Sequence, residues 1–265
     1  MKVVGDCFAP IPRVVHQIWK SPDVPDHWRA YHASWRRHLP EWEHRLWSDE
    51  ARRALVVERY PDFLATYDAF PREIQRVDAS KYLILHAHGG VYADLDCECL
   101  KPIAPLVAPG GAIVGRTRDG VIECAFFGST PGHALWTHVL DELRSPPLSA
   151  RLLRGMPGFD CSHVLLSTGT QMLRRTVRRY ASRRDAAQGD GLTIYDPKYF
   201  SVRSWLDRYE PFPDDAEAFI HHHYTDSWLK PDERRIHQYF TRRHVRNTLA
   251  AALTFGLLFA IAWIW

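Results

Sequence analysis

The amino-acid sequence predicts an α/β fold with a doubly wound sheet, and two observations carry this prediction. Near the N-terminus, strand-like and helix-like segments alternate in the order β-α-β-α, which is typical of such domains. Further along, a long helical pattern stops at a pair of glycines and continues as a short apolar strand that ends in two aspartates. Open α/β sheets bind ligands beyond the carboxyl ends of their strands, so we expect a functional site at this strand end.

The N-terminal alternation consists of two strands, each followed by a helix. The first strand covers Arg13 to Trp19, which is rich in β-branched and aromatic residues, and the helix after it covers Asp26 to His38. The second strand covers Trp42 to Trp47, and Ser48 is placed to cap a helix that continues to Tyr60. These segments supply the first half of the predicted sheet and its first covering helices.

The middle of the chain continues the same alternation. A helical pattern runs from Pro71 to His88, Gly89-Gly90 ends it, and Val91 to Ala93 forms the apolar strand. Further strands are predicted at Ala112–Arg116 and Glu123–Gly128, and further helices at Ala134–Leu143 and Gly169–Tyr180. We therefore predict one catalytic domain over residues 1–240.

The composition is that of a globular protein without a nucleic-acid partner. The chain has 265 residues, of which 46% are hydrophobic and 25% are charged, and this excludes a disordered chain. Its formal net charge of +3 is too small to indicate nucleic-acid binding. The five cysteines form no zinc-finger pattern, so we expect reduced, structural thiols and a reducing compartment.

The C-terminal segment differs in character from the rest of the chain. Thr248 to Trp265 carries no charge and is just long enough to span a bilayer, with Trp263 near its end as an interfacial aromatic. The alternative, a buried amphipathic or core helix, would normally show a polar face, which this segment lacks. Arg242 and Arg246 precede it, so the positive-inside rule predicts a single-pass membrane anchor (residues 248–265) with the catalytic domain in the cytoplasm.

Asp94-Leu95-Asp96 is the candidate centre of the chemistry. Residues at i and i+2 of a strand point to the same side, so both carboxylates can face one site. Mg²⁺ and Mn²⁺ prefer such oxygen ligands, and a divalent ion of this kind can neutralise a diphosphate leaving group. Two aspartates with one spacer residue are a weak signal alone, since solvated turn aspartates are the ordinary alternative. The preceding helix, glycine pair and strand favour the site.

Several motifs in order resemble one known family. The motifs are Arg76-Val77-Asp78, Lys81-Tyr82, Gly89-Gly90-Val91-Tyr92, Asp94-Leu95-Asp96, Ser167-Thr168-Gly169 and a late His223 followed by Ser227-Trp228. Together they resemble the DXD-containing glycosyltransferases of family 32, which include yeast-type α-1,6-mannosyltransferases and mannosylinositol phosphorylceramide synthases. The resemblance implies a GT-A fold, which is Rossmann-like, a Mn²⁺ (or Mg²⁺) cofactor, a nucleotide-sugar donor such as GDP-mannose or a UDP-hexose, and transfer with retention of configuration.

The resemblance also implies roles for individual residues. Trp19 resembles the aromatic residue that stacks on the nucleotide base, although a core tryptophan at the end of the first strand is the alternative. Asp78 resembles a contact with the ribose or the donor sugar, although a helix-surface aspartate paired with Arg76 or Lys81 is the alternative. Asp94 resembles the ribose and sugar contact, and Asp96 the direct metal ligand. Lys81 stands where the family usually has arginine, so it keeps the positive charge but not the bidentate geometry.

The late element supplies the remaining predicted site residues. On this resemblance His223 is the last metal ligand, with His222 as the close alternative, Ser227 binds the diphosphate, and Trp228 is a lid residue. Tyr92 resembles a wall of the donor pocket, although an ordinary alternating strand aromatic is the alternative.

The function predicted from these features is a retaining, metal-dependent hexosyltransferase. We expect it to move a hexose, mannose first, from a nucleotide diphosphate sugar to a membrane-associated acceptor such as a glycolipid, because the predicted anchor places the enzyme at the membrane. Transfer to a lipopolysaccharide or capsule intermediate, or to a protein as an effector, is the alternative. A non-enzymatic, lipid-binding membrane protein is the least favoured reading, because the metal-ligand candidates are intact.

Overall fold

The computed structural model describes residues 8–118, 120–156, 158–182, 191–200 and 216–235. The strands within these ranges are β1 (Val14–Ile18), β2 (Glu43–Trp47), β3 (Gly90–Ala93), β4 (Cys97–Cys99), β5 (Ala112–Arg116), β6 (Ile122–Ser129), β7 (Leu192–Tyr195) and β8 (Ile220–His222). The helices are α1 (Asp26–His38), α2 (Asp49–Arg59), α3 (Pro61–Asp68), α4 (Glu73–His88), α5 (Ala104–Val107), α6 (Ala134–Arg144), α7 (Leu148–Leu153), α8 (Asp160–Ser167), α9 (Thr170–Ser182) and α10 (Pro197–Phe200).

Six of these strands form one mixed sheet in the order β2-β1-β3-β6-β5-β7. The strands β2, β1 and β3 are parallel, as the alternation of strands and helices predicts, whereas β6 runs antiparallel to both of its neighbours. The remaining strands, β4 and β8, pair with each other as a separate antiparallel ribbon. The predicted α/β class is confirmed, and the sheet is mixed rather than wholly parallel.

The elements of the N-terminal half lie close to their predicted bounds because their local signals are strong. Ser48 caps α2 as predicted, and its hydroxyl accepts a hydrogen bond of 3.2 Å from the backbone N–H of Ala51. The helices α3, α5, α7, α8 and α10 and the strands β4, β7 and β8 are short and were not predicted. Short elements depend on tertiary packing more than on their own periodicity.

The glycine pair after α4 lets the helix feed directly into the central strand. Gly89 ends the helix with φ of 63°, and a Cβ at this position would lie 2.7 Å from Pro131 Cδ. Gly90 has φ of 89°, and a Cβ there would lie 2.7 Å from the carbonyl oxygen of Val14 on β1. Both positions therefore require glycine, which keeps β3 tight against β1 and sets where its carboxyl end lies.

Apolar layers cover both faces of the sheet. One layer packs α2, α3, α4, α6 and α9 against it, with the fully buried rings of Tyr82, Phe127 and Trp136 near its centre. The other layer contains α1, α10 and the β4–β8 ribbon. Here the buried indole N–H of Trp35 donates a hydrogen bond of 2.8 Å to the carbonyl oxygen of Cys97. This bond ties the ribbon to α1 and so positions β4, which begins directly after Asp96.

In the part of the chain that the structure describes, no helix has both the length and the apolar character needed to cross a bilayer. The predicted anchor at residues 248–265 and the predicted domain boundary at residue 240 lie outside the described residues.

Candidate active site

The predicted donor-binding residues meet at one edge of the sheet. The parallel strands β1 and β3 are in register with His16 opposite Tyr92. Trp19 lies just beyond the carboxyl end of β1, and Asp94 and Asp96 lie just beyond that of β3. Topology therefore brings these three residues to the same rim, where α/β sheets bind their ligands.

Lys81 lies between two aspartates; it is buried together with Asp78, and Asp94 is partly exposed. Its ammonium nitrogen is 3.0 Å from Asp94 Oδ1 and 3.3 Å from Asp78 Oδ1, and it also donates to the carbonyl oxygen of Cys124 at 3.4 Å. Asp78 and Lys81 come from adjacent turns of α4, whereas Asp94 follows β3. One cation thus connects the helix to the first aspartate of the motif.

The charged side chains of this group shift one another's pKa values. Burial by itself would lower the pKa of Lys81, but the surrounding carboxylates hold it well above its usual value, so the lysine stays charged. Burial raises the pKa of Asp78 and of Asp94, and the Lys81 ammonium offsets part of this rise for each. The hydroxyl of Tyr92 donates a hydrogen bond of 2.6 Å to Asp94 Oδ1, so this carboxylate is held from two sides.

Thr168 joins the group from the end of α8. Its hydroxyl donates a hydrogen bond of 2.9 Å to Asp78 Oδ2, and its carbonyl oxygen accepts one of 2.9 Å from the hydroxyl of Tyr82. The Ser167-Thr168-Gly169 motif therefore contacts the candidate site through Asp78, which ordinary sequence spacing could not show. Since Thr168 is fully buried, we interpret this contact as positioning Asp78.

Asp96, the second aspartate of the motif, faces the β4–β8 ribbon instead. In the ribbon Cys97 is paired with His222, so both lie on the side that faces Asp96. His222 Nε2 lies 3.5 Å from Asp96 Oδ1. Thr225 donates to Asp96 Oδ2 through both its backbone N–H and its hydroxyl, each at 2.9 Å. The two aspartates of the motif therefore have different partners.

The pKa values of this second pair move in opposite directions. Burial alone would raise the pKa of Asp96, but His222 and the two donors of Thr225 hold it well below its usual range. Burial alone would lower the pKa of His222, but Asp96 and Glu123 raise it to about 10. Asp96 is thus a carboxylate at neutral pH, with its oxygens directed toward the ribbon.

His223, the predicted metal ligand, lies against different residues. Its Nε2 is 3.1 Å from Glu98 Oε2, and its ring stacks on that of Tyr31 with the centroids 4.0 Å apart. Its contact with Asp96 is made by the backbone, whose N–H donates to the Asp96 carbonyl oxygen at 3.0 Å. The structure therefore brings the imidazole of His222, the alternative, to the Asp96 carboxylate.

The other predicted residues lie around the rim. Trp19 is half-buried, and its ring meets that of Trp28 edge-on with the centroids 5.0 Å apart. Ser227 is exposed and Trp228 is half-buried, in a turn that begins directly after Thr225. Their place in the chain puts them near Asp96.

Glu123, on β6, belongs to the site although no sequence pattern singled it out. One carboxylate oxygen, Oε1, accepts backbone hydrogen bonds from Cys124 at 3.1 Å and from Ala125 at 3.3 Å, and lies 3.5 Å from His222 Nδ1. The other, Oε2, accepts a hydrogen bond of 3.1 Å from the hydroxyl of Tyr224. A lone glutamate in a predicted strand carries no signal of such a role.

The residues present fit a divalent cation. One oxygen of Asp96, the sulfur of Cys97 and one nitrogen of His222 lie within 4.8 Å of one another. Burial raises the pKa of the Cys97 thiol well above its usual value, which leaves it protonated and a poor ligand. The Asp96 carboxylate suits Mn²⁺ or Mg²⁺, and His222 would join it as a ligand only in its neutral form, so a bound ion would replace the proton that Asp96 favours on that ring. Glu123 would orient His222 from the far side of the ring, as carboxylates do around metal-bound histidines.

Comparison with known proteins places the central part of this site in a family. Residues 25–110 match the family described as "Glycosyltransferase sugar-binding region containing DXD motif". The inositol phosphoceramide mannosyltransferase 1 of Schizosaccharomyces pombe is 38% identical over 139 residues, which are 49% of this chain and 44% of that protein. The mannosyl phosphorylinositol ceramide synthase SUR1 of Saccharomyces cerevisiae is 34% identical over 201 residues, which are 74% of this chain and 49% of that protein.

The chain spans about half the length of these curated relatives. Among solved structures, "PaToxG Glycosyltransferase" superposes with a TM-score of 0.46 at 16% identity, over 67% of this chain and 73% of that one. The family match includes α4 and the two aspartates after β3, whereas Trp19 and His222 lie outside it.

Proposed function

Because the chain belongs to the glycosyltransferases whose sugar-binding region contains a DXD motif, we propose that it transfers a hexose from a nucleotide diphosphate sugar to a glycolipid acceptor. Mannose is the proposed sugar and GDP-mannose the first donor to test, with a UDP-hexose second. The names of the relatives support this choice, since they describe mannosyl transfer involving inositol phosphoceramide. The proposed fold is GT-A, with the donor bound along the rim beyond β1 and β3.

The observation that carries the proposal is that the two aspartates of the motif have different partners in the structure. Asp94 is held by Lys81 and Tyr92 inside the domain, and we assign it to the ribose and the donor sugar. Asp96 faces His222, and we assign this pair as the protein ligands of Mn²⁺ (or Mg²⁺). When bound, the ion would neutralise the negative charge of the diphosphate.

The remaining residues bind and orient the donor in this proposal. Trp19 stacks on the nucleotide base from the end of β1, while Ser227 donates to the diphosphate and Trp228 closes over it. Asp78 contacts the ribose or the sugar, and Lys81 keeps it and Asp94 in place. Each of these groups acts by positioning, which can supply a large part of the rate enhancement of a transfer reaction.

We propose that transfer retains the anomeric configuration without a protein nucleophile. The acceptor hydroxyl oxygen bonds to the anomeric carbon as the bond from that carbon to the diphosphate oxygen breaks. The hydroxyl proton passes to the departing diphosphate on the same face of the sugar. The partly buried, hydrogen-bonded carboxylate of Asp94 would stabilise the positive charge that develops on the sugar ring.

A panel of nucleotide sugars, assayed with Mn²⁺ for nucleotide release, tests the proposal. We expect GDP-mannose or one UDP-hexose to be turned over, and we expect Asp96→Asn to reduce this turnover by at least about a hundredfold because it removes a charged metal ligand. Asp62→Asn is the matched control, since Asp62 is exposed on α3 away from the rim. Failure to release nucleotide from any donor with Mn²⁺ or Mg²⁺ would refute the enzymatic proposal.

The predicted C-terminal anchor is part of the proposal, because a lipid acceptor requires the enzyme at the membrane. Residues 248–265 lie outside the described residues, so the support comes from their sequence alone. Deleting them should move the protein from the membrane fraction toward the supernatant while donor hydrolysis continues. A deleted form that remains fully with membranes would place the main attachment elsewhere in the chain.

A further inference from the structure

The described residues expose large apolar side chains in one short stretch far more than elsewhere. Leu148 is 60% exposed, Leu152 63%, Met156 43% and Phe159 47%. We call these four residues the 148–159 surface. Only two other large apolar side chains of the described residues are exposed to this degree, Val57 and Ile194, and these lie on other elements. Scattered exposed apolar residues are normal, whereas a local cluster marks an interaction surface.

The backbone holds this surface in a compact shape. Leu148 and Leu152 lie four residues apart on α7, so they share one face of the helix, while Ala150 is buried on another. Beyond the helix, two backbone hydrogen bonds of 3.2 Å continue the turns, from Met156 N–H to the Leu153 carbonyl and from Phe159 N–H to the Met156 carbonyl. The apolar side chains are thus presented by folded backbone.

The charged residues within this stretch of the chain are all basic. Between residues 145 and 159 the charged residues are Arg151 and Arg154, and the stretch contains no aspartate or glutamate. Arg151 is exposed, and Arg154 donates to the carbonyl oxygen of Ala69 at 3.1 Å. The next acidic residue, Asp160, is neutralised by Lys230 at a distance of 2.9 Å. Exposed apolar side chains with interleaved arginines match the interface of an anionic bilayer.

A second copy of the chain fits this surface less well. Four partly exposed side chains of this size offer on the order of 300 Å², given that an aromatic side chain buries about 150–250 Å² when fully covered. A stable protein interface takes about 800 Å² from each partner. Two copies meeting here would also bring arginine toward arginine. The small area and the charge therefore favour a membrane over a dimer.

The surface lies at the start of the helix that leads to the candidate site. Phe159 immediately precedes α8, and Thr168 immediately follows it. The eight residues of this helix span about 12 Å, at 1.5 Å per residue. Thr168 donates its hydroxyl hydrogen bond to Asp78. Lys230 ties the start of α8 to the chain that follows Trp228. A membrane bound at this end of α8 would therefore lie near the turn that carries Ser227 and Trp228.

We propose that the 148–159 surface inserts its four apolar side chains into the interface of an anionic bilayer, with the arginines at the headgroups. This contact would orient the domain so that α8 and the candidate site lie close to the membrane. The proposal concerns how the protein binds a membrane, so its test does not depend on the proposed transferase activity.

An environment-sensitive dye tests the surface directly in the full chain. Leu152→Cys is labelled with a nitrobenzoxadiazole dye, and Val57→Cys on α2, 47% exposed, is the matched control. The parent chain treated with the same dye gives the background from the native cysteines. With vesicles of phosphatidylcholine and phosphatidylserine, we expect the emission of the dye at position 152 to shift to the blue. When the acyl chains of these lipids carry bromine, we expect that emission to be quenched. The dye at position 57 should show neither change.

The lipid charge and the arginine provide the second arm of the test. We expect the vesicle concentration that half-saturates the change at position 152 to rise about fivefold when Arg151→Gln is added, which is the effect typical of one basic residue near an anionic surface. Phosphatidylcholine vesicles without phosphatidylserine should give a much smaller change. Leu148→Cys provides a second labelling position if Leu152→Cys does not fold.

Four results would overturn the proposal. One is an unchanged emission at position 152 with anionic vesicles. Another is an equal change at position 57, which would mean general adsorption. A dye at position 152 that is already shielded before vesicles are added would show that another part of the chain, or a second copy, covers the surface. An equal response to neutral vesicles would remove the role of anionic lipid.

Discussion

Glu123 Oε1 lies 3.5 Å from Nδ1 of His222, while Nε2 of the same ring lies 3.5 Å from Asp96 Oδ1. The imidazole is therefore held between two carboxylates, one on β6 and one after β3. A carboxylate that accepts from the ring nitrogen remote from the metal is a common support for a metal-binding histidine, and Glu123 is placed to act in this way. It joins the main sheet to the ribbon at the point where the proposed cation binds.

Glu123→Gln should weaken the binding of Mn²⁺ by about 10- to 100-fold, because the orienting carboxylate behind His222 loses its charge. The change is isosteric, and the retained amide oxygen can still accept the backbone hydrogen bonds of Cys124 and Ala125. Mn²⁺ binding to the purified protein, followed by electron paramagnetic resonance, measures the effect without a donor. Glu41→Gln, at an exposed position, is the control. Unchanged Mn²⁺ binding in Glu123→Gln would show that Glu123 does not support the site.

The three consecutive histidines allow a matched comparison. His222→Gln should lose most Mn²⁺ binding, whereas His223→Gln should keep it, because the His222 ring lies 3.5 Å from the Asp96 carboxylate while the His223 ring lies against Glu98. His221→Gln, one residue earlier on the same strand, controls for disturbance of the ribbon. The same measurement of Mn²⁺ binding decides between them. If His223→Gln lost Mn²⁺ and His222→Gln did not, the prediction from the motif would be restored.

Lys81→Met should destabilise the protein by about 3–5 kcal/mol, because the buried Asp78 and the partly buried Asp94 would lose their shared cation. Thermal unfolding measures the change. Lys198→Met is the control: its ion pair with Glu217 is exposed, so its loss should change the unfolding temperature little. A variant at position 81 as stable as the parent would mean that these carboxylates do not depend on the lysine.

The loss of stability that Lys81→Met causes should become smaller as the pH is lowered from 7 to 5. Burial already raises the pKa of Asp78 and Asp94 in the folded protein, and loss of the ammonium would raise both further. A folded-state pKa above the unfolded value favours the folded state at low pH, and this advantage is lost as the pH rises. Thermal unfolding of variant and parent across this range measures the difference. A deficit that is constant or grows toward low pH would contradict this account.

Trp19→Ala should weaken donor binding about 5- to 150-fold, which corresponds to about 1–3 kcal/mol for the loss of a stacked base. Trp19 is only half-buried, so the variant should stay folded. Trp28→Ala is the contrasting variant, because Trp28 is 4% exposed and its loss should lower the unfolding temperature strongly. Nucleotide titration and thermal unfolding separate the two effects. Strong unfolding of Trp19→Ala with unchanged nucleotide affinity would favour the core interpretation.

The sequence by itself predicted the strong elements and the family correctly. The resemblance to the DXD-containing glycosyltransferases is confirmed by the family match and the mannosyltransferase relatives. The strands and helices of the N-terminal half, the cap at Ser48 and the stop at Gly89 lie where local chemistry places them. These features depend on residues close together in the chain, which a periodicity or a capping residue can reveal.

The pairing of the site residues was decided by the tertiary structure. The sequence marked Asp94 and Asp96 and left His222 and His223 as alternatives, but it contained no sign that Lys81 holds the first aspartate or that Glu123 stands behind His222. Those contacts depend on the register of β4 with β8 and on the packing of α4 beside β3. A shift of one residue in the ribbon would turn His223 inward and His222 outward. The sequence therefore determined which polar and charged groups are available. Strand pairing and burial decided which of them form ion pairs and hydrogen bonds with one another.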